Sequence, residues 1–226
     1  MITIVSATRL SAAEFWAKSA LGISLNKLAY DKRLNARINY ENAMSLSVVY
    51  NYSIDAANLD DILVFIHDDV WIDDYYFADR IIEGLKSFDV IGVAGNKRRL
   101  PLQPSWIFKS TNFDQDDREN LTGSIAHGRI PGAEAIISNY GDTPASCELM
   151  DGVFLVTNQA TLFNHQLRFD PIFKFHFYDL DFCRTARSKL LKLGTWPICL
   201  THQSPGSLGG VDWCEQYQLY INKWQE

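Results

Sequence analysis

Three short stretches of the chain put acid or histidine where a strand ends or a helix begins. His67, Asp68 and Asp69 follow the apolar run "ILVFI"; Asp179 and Asp181 lie in "FHFYDLDFC"; His202 follows "TWPICL". Adjacent carboxylates at the end of a buried strand suit a hard divalent ion. Mg²⁺ or Mn²⁺ takes carboxylate oxygens and keeps positions open for phosphate oxygens. Asp69 is the candidate ligand, with Asp68 beside it. The competing reading makes both of them caps for a helix starting near Asp73, which Asp73 and Asp74 can already serve. Asp179 and Asp181, two residues apart at a helix start, point about 200° apart around its axis. Asp179, among aromatic residues, is a candidate general base, because partial desolvation raises a carboxyl pKa toward neutrality. Asp181 reads as a first-turn acid. His202, followed by "SPGSLGG", reads as a residue on a loop that orders around ligand and metal.

Other features leave two readings open. Lys97, Arg98 and Arg99 are either partners for phosphate or a solvated charge run. Trp213 either offers its face to a sugar ring or simply packs. The glycines at 206, 209 and 210 form no phosphate-loop pattern, because no Gly-Lys-Ser/Thr follows.

The elements that must position these residues alternate in period. "ITIVSA" is a β-rich run. "SAAEFWAKSALG" then carries a helix opened by a capping box of Ser11 and Glu14 and ended at Gly22. A second helical stretch, "NAMSLSVVYNYSIDAA", precedes the buried strand Ile62–Ile66. Phe77, Ile81, Leu85 and Phe88 recur on one helix face, and "DVIGVAG" follows as a strand. Residues 95–148 break the rhythm and read as excursions over the ligand face. "LMDGVFLV" is a strand interrupted at Asp151-Gly152, and Thr157 is placed to open a short helix. A helix with Phe182, Ala186, Leu190 and Leu193 on one face closes at Gly194, and "TWPICL" is the last strand. Strands alternating with helices predict an α/β fold with a mostly parallel central sheet covered on both faces. Ligands of such sheets collect outside the carboxyl ends of the strands, where Asp68 and Asp69 stand.

The 226 residues suffice for one sizeable core and fall short of two comfortable domains. A net charge of −6 argues against generic binding to nucleic acid or anionic membrane, which need a basic face. Cys147, Cys183, Cys199 and Cys214 show no metal spacing and read as reduced thiols of a cytoplasmic protein. No signal peptide is evident in "MITIVSATRLS", and no apolar run reaches the ~18 residues of a membrane span.

Four motifs in order, "FIHDDV", "MDGVFLV", "FHFYDLDFC" and "LTHQSPGS", resemble the family 2-type nucleotide-sugar glycosyltransferases with the GT-A fold. The likeness runs from the first strand to His202 and is weakest between 95 and 145. It implies a single Rossmann-like domain over 1–226, with a nucleotide-binding part at about 1–95 and an acceptor-side part at about 96–226. It also implies a divalent cation, Mn²⁺ or Mg²⁺, held by Asp69, Asp68 and His202 against the diphosphate of a sugar donor, a UDP-sugar being favoured. His67 stands where the family's strict acidic motif has its first aspartate. Tyr178 stands where the family has a glutamate before the general base, and Asp179 matches the base. Asp181 and Arg184 match the acid and arginine that follow it. By the same likeness Thr8 and Arg9 lie near the nucleobase, and Asp151 and Gly152 face the acceptor, with Trp213 joining them.

The activity implied is inverting transfer of a sugar to an acceptor hydroxyl. One catalytic carboxylate fits this better than glycoside hydrolysis, where two are normal. A nucleotidyltransferase would want a glycine-rich basic loop after the first strand, which "SATRLSAAEFW" lacks. The alternative that survives is a glycosyltransferase-like module that binds nucleotide or sugar without turnover, suggested by His67 and the missing glutamate.

Overall fold

The structure is a computed structural model that describes residues 1–130, 135–204, 206 and 208–226. Its larger sheet has the order β2-β1-β3-β11-β5-β12-β9. β1 (Ile2–Ala7), β2 (Leu34–Asn39), β3 (Ile62–Ile66), β5 (Val90–Gly92) and β12 (Leu193–Thr195) all run one way. β11 (Phe154–Asn158) and β9 (Ala145–Cys147) run against them. The central sheet is thus mostly parallel, with an antiparallel strand lodged between β3 and β5. Leu63, Val64, Phe65 and Ile66 are fully buried, as an interior strand covered on both faces requires. Helices lie on both faces of the assembly.

A second sheet has the order β10-β6-β7-β13-β4 and is built from β10 (Leu149–Met150), β6 (Ala94–Asn96), β7 (Leu121–His127), β13 (Leu200–His202) and β4 (Val70–Ile72), with β8 (Ile136–Gly141) paired to β7. The chain crosses from one sheet to the other at a few short seams. Residues 67–69 join β3 to β4, Val93 joins β5 to β6, and 151–153 join β10 to β11. Three of the acids singled out by sequence stand on these seams.

The helices refine the sequence reading in several places. The first helical segment is two helices, α1 (Ala12–Lys18) and α2 (Ala20–Lys27). Ser19 ends the first and caps the second by accepting the Gly22 amide. The capping box of Ser11 and Glu14 is formed. α3 (Leu46–Asp55) and α4 (Phe77–Gly84) lie within the expected stretches, but α4 ends at Gly84, with Leu85 as its C-cap and Phe88 beyond it. "DVIGVAG" is not one strand, because its two halves, β5 and β6, belong to different sheets. Thr157 stays within β11, and Asn158 precedes α5 (Gln159–Asn164). α6 (Tyr178–Ser188) stops before Gly194, which lies in β12. "TWPICL" is not one strand: Thr195 ends β12 and Leu200 begins β13. Residues 95–148 supply β7, β8 and β9, so the excursion carries strands of its own. A last helix, α7 (Val211–Trp224), closes the chain. Among the described residues no helix is long and apolar enough to cross a membrane.

Candidate active site

The seam after β3 is stitched to its surroundings by its own carbonyls. The Asp68 carbonyl accepts the Leu21 amide at 3.1 Å, and the Asp69 carbonyl accepts Gln203 at 3.0 Å. That second bond brings the end of β13 alongside, so His67, Asp69 and His202 converge with one ligand atom each inside a 4.8 Å circle. Asp69 Oδ1 and His202 Nε2 lie 3.3 Å apart, yet neither has a hydrogen-bond partner among the described residues, and both atoms are buried. Buried polar atoms left in that state are costly. A carboxylate oxygen and an imidazole nitrogen facing each other suit a divalent ion between them, so the residues present fit the ion that the sequence likeness implies. Burial works against charge on His202, but the neighbouring Asp69 carboxylate outweighs it and holds the histidine above its ordinary pKa. Burial pulls His67 below its ordinary value.

Asp68 is not part of this convergence. Burial raises its pKa, with the Thr8 hydroxyl working in the opposite direction, so it faces the first βα turn rather than His202. Thr8 is buried there and its hydroxyl accepts the Leu10 amide, while Arg9 is exposed.

The start of α6 supplies the other wall. Asp179 accepts the Gly152 amide through Oδ2 at 2.9 Å, and Tyr178 Oη donates to the Gly152 carbonyl at 2.9 Å. Gly152 is therefore held through both its amide and its carbonyl. A Cβ added there would lie 2.5 Å from Tyr178 Oη and 2.7 Å from Asp179 Cβ, so only glycine permits this approach. Burial, reinforced by the Asp151 carboxylate, pushes Asp179 up to about 7. Asp151 is itself held by Trp106, whose Nε1 donates to Oδ2 at 2.9 Å, and by the Val153 amide.

These walls enclose an open cavity of about 350 Å³ lined by His67, Asp69, Trp106, His127, Tyr140, Asp151, Asp179, His202 and Trp213, among others. Among the described lining residues there is no lysine or arginine. Trp213 lines the cavity and packs as well. It is buried, stacked on Tyr217 with centroids 5.4 Å apart and tilted against Phe177 at 5.2 Å. Phe177, which precedes α6, takes a left-handed backbone with φ +63°, a strained conformation for an aromatic residue. Its ring is held by Trp213, Tyr217 and Tyr220 of α7.

Several residues that carry the site lie outside the sequence reading. Trp106 and His127 come from the stretch where periodicity fails, while Tyr178 enters that reading only as the residue in place of the family's glutamate. The basic run Lys97-Arg98-Arg99 is turned elsewhere: Arg98 pairs with buried Asp116, Arg99 with Glu226, and Lys97 reaches the Glu119 carbonyl. Asp181, besides standing in the first turn of α6, is fully buried and bound by Lys223 and Trp224. Arg184 pairs with Glu226 at 2.9 Å and covers the Trp224 ring. Both residues tie α6 to α7. In the loop after His202, Pro205 and Ser207 lie outside the described residues.

A family model described as "Glycosyltransferase like family" matches residues 18–215, most of the chain. No curated protein matches it. Among solved structures, the catalytic domain of Drosophila beta1,4galactosyltransferase 7 in complex with xylobiose is similar, with a TM-score of 0.52 at 10% identity over 96% of this chain and 79% of that one. GalNAc-T7 with UDP, GalNAc and Mn²⁺ is similar with a TM-score of 0.52 at 11% identity, over 98% of this chain and 48% of that one. This chain thus spans about half the length of the second. At such identities the likeness is one of fold, and the fold is GT-A.

Proposed function

The chain belongs to the glycosyltransferase-like family, and from that premise we propose that it is a metal-dependent, inverting transferase that moves a sugar from a nucleoside diphosphate, UDP being favoured, to an acceptor hydroxyl. The observation that carries this reading is the pairing of two unlike walls across one cavity. On one side stand Asp69 and His202 with buried ligand atoms that, among the described residues, meet only each other at 3.3 Å. On the other stands a carboxyl poised at about 7.

Asp179 is the general base. It takes the proton of the acceptor hydroxyl as that oxygen attacks the anomeric carbon and the bond to the diphosphate breaks on the opposite face. A base with a pKa near the working pH combines an ionised fraction with real proton affinity. The Gly152 amide fixes one carboxylate oxygen and leaves the other for the acceptor. Asp69 and His202 would hold the divalent ion, which when bound neutralises the departing diphosphate. That charge has to be met by a cation, because the described lining offers no lysine or arginine. The same lack of basic groups, with Trp106, Tyr140 and Trp213 on the walls, suits a neutral sugar acceptor stacked on aromatic faces. Thr8 and Arg9 would lie toward the nucleobase, with 1–95 the donor side and 96–226 the acceptor side. The four free cysteines accord with a cytoplasmic location.

Thermal unfolding with nucleoside diphosphates, each with and without Mn²⁺, tests the donor site. A ligand at a hundred times its Kd stabilises by ~2.7 kcal/mol, a shift of several degrees. We expect UDP to raise the midpoint only with metal, and Asp69→Ala to remove the shift. No shift with any nucleotide and metal would sink the reading and leave a module that binds something else.

A further inference from the structure

The two positions at which the sequence departs from the family pattern, His67 and Tyr178, touch each other. His67 Nε2 lies 2.8 Å from Tyr178 Oη, although 111 residues separate them in the chain. Tyr178 Oη also lies 2.9 Å from the Gly152 carbonyl oxygen. A phenol has one proton, and a carbonyl oxygen can only accept. The phenol proton therefore goes to Gly152, and the same oxygen accepts from His67. This assigns the His67 proton to Nε2 and leaves the lone pair on Nδ1.

We propose that Tyr178 is a positioning residue that locks His67 as its Nε2–H tautomer, so that Nδ1 joins Asp69 and His202 in a two-histidine, one-carboxylate site for a divalent ion. The inference rests on the metal-dependent reading above. The ring is also held in place by its neighbours. Phe175 stacks with it at 6.1 Å and His202 meets it edge-on at 5.9 Å. Tyr178 has no freedom of its own, since it is buried at 3% exposure and its hydroxyl is pinned to a glycine that no larger residue could replace without collision.

The two departures compensate each other. An acid is lost from the ion site and another from the helix start, and a neutral hydrogen-bonded pair takes the place of both. A ligand set with two imidazoles and one carboxylate disfavours Mg²⁺, which prefers oxygen, relative to a transition-metal ion such as Mn²⁺ or Co²⁺.

The test is Mn²⁺ binding, alone and with UDP, to the whole chain and to Tyr178→Phe, His67→Ala, His67→Asp and the double variant His67→Asp/Tyr178→Phe. Affinity is read by calorimetry and nitrogen ligation by pulsed EPR of bound Mn²⁺. The expected result is two imidazole nitrogens on the ion in the parent and one in His67→Ala. Tyr178→Phe should weaken Mn²⁺ by about tenfold or more, the usual effect of removing a group that orients a ligand. In the His67→Asp background the same phenylalanine should have little effect, because no tautomer remains to be fixed. A merely structural tyrosine would cost the same in both backgrounds, and that result would overturn the inference. So would Mn²⁺ affinity and nitrogen couplings that are unchanged in His67→Ala, which would leave the ion on Asp69 and His202 with the broader reading intact. Absence of Mn²⁺ binding by the parent, with and without UDP, would overturn both.

Discussion

Asp179 sits where its charge is expensive, and that sets up two measurements. Its pKa in the folded chain is raised to about 7 from an ordinary 3.8. Well below pH 3.8 the carboxyl is neutral whether the chain is folded or not. As pH rises from 4 to 7 the unfolded chain releases the proton while the folded one retains it, so stability falls until the folded group ionises. The ceiling on this cost is roughly 4 kcal/mol. Asp179→Asn keeps an oxygen for the Gly152 amide and carries no charge. It should abolish transfer while stabilising the protein strongly at pH 8 and only slightly at pH 4, as denaturant titrations at the two pH values would show. In the parent, transfer should rise with pH through about 7 as the base ionises. Gly152→Ala should act differently: it forces Tyr178 and Asp179 apart, so we expect at least a hundredfold loss in kcat/KM together with destabilisation of about 1–3 kcal/mol. Asp69, Asp179 and His202 were legible because each is an unusual residue type at the end of a periodic run. Trp106 and Tyr178 were not, because their roles come from partners 45 and 26 residues away.

At the level of elements, α7 governs how α6 presents its first turn. Lys223 reaches Asp181 at 2.7 Å and Asp170 at 2.7 Å, Trp224 Nε1 reaches Asp181 at 3.0 Å, and Glu226 pairs with Arg184. Asp181 has essentially no exposed surface, so removing its cation leaves a buried carboxylate short of a partner. Lys223→Met should cost ~3 kcal/mol, and adding Asp181→Asn should recover much of it, since the loss is mainly an uncompensated charge. A double-mutant cycle by thermal unfolding measures this directly. The spacing of Trp213, Tyr217, Tyr220, Ile221 and Trp224 carries a helical period in the sequence, so α7 could have been read there. The glycine-rich loop before it drew attention instead. β5 and β6 are a different case. Which sheet a three-residue strand joins is decided by partners far along the chain, and local pattern holds no record of that.

On the scale of the whole molecule, strand alternation and a covered parallel sheet could be read from the sequence because apolar periodicity is local. The antiparallel β11 and the joining of β13 to β4 and β7 in the second sheet could not, since these depend on pairing across more than fifty residues. The seams between the sheets are where the fold gives up regular ladders. The Gly152 amide goes to the Asp179 carboxylate and the Val153 amide to Asp151, whereas Leu155 and Val156 lie in the β11 ladders between β3 and β5. Amide hydrogen exchange should divide along this line. Gly152 and Val153 should exchange through local opening of the seam, with protection well below that of Leu155 and Val156, which require global unfolding. Ligand that closes the cavity should slow the first pair and leave the second unchanged. The backbone next to the base would then report occupancy of the site through its own protons, with no label and no turnover.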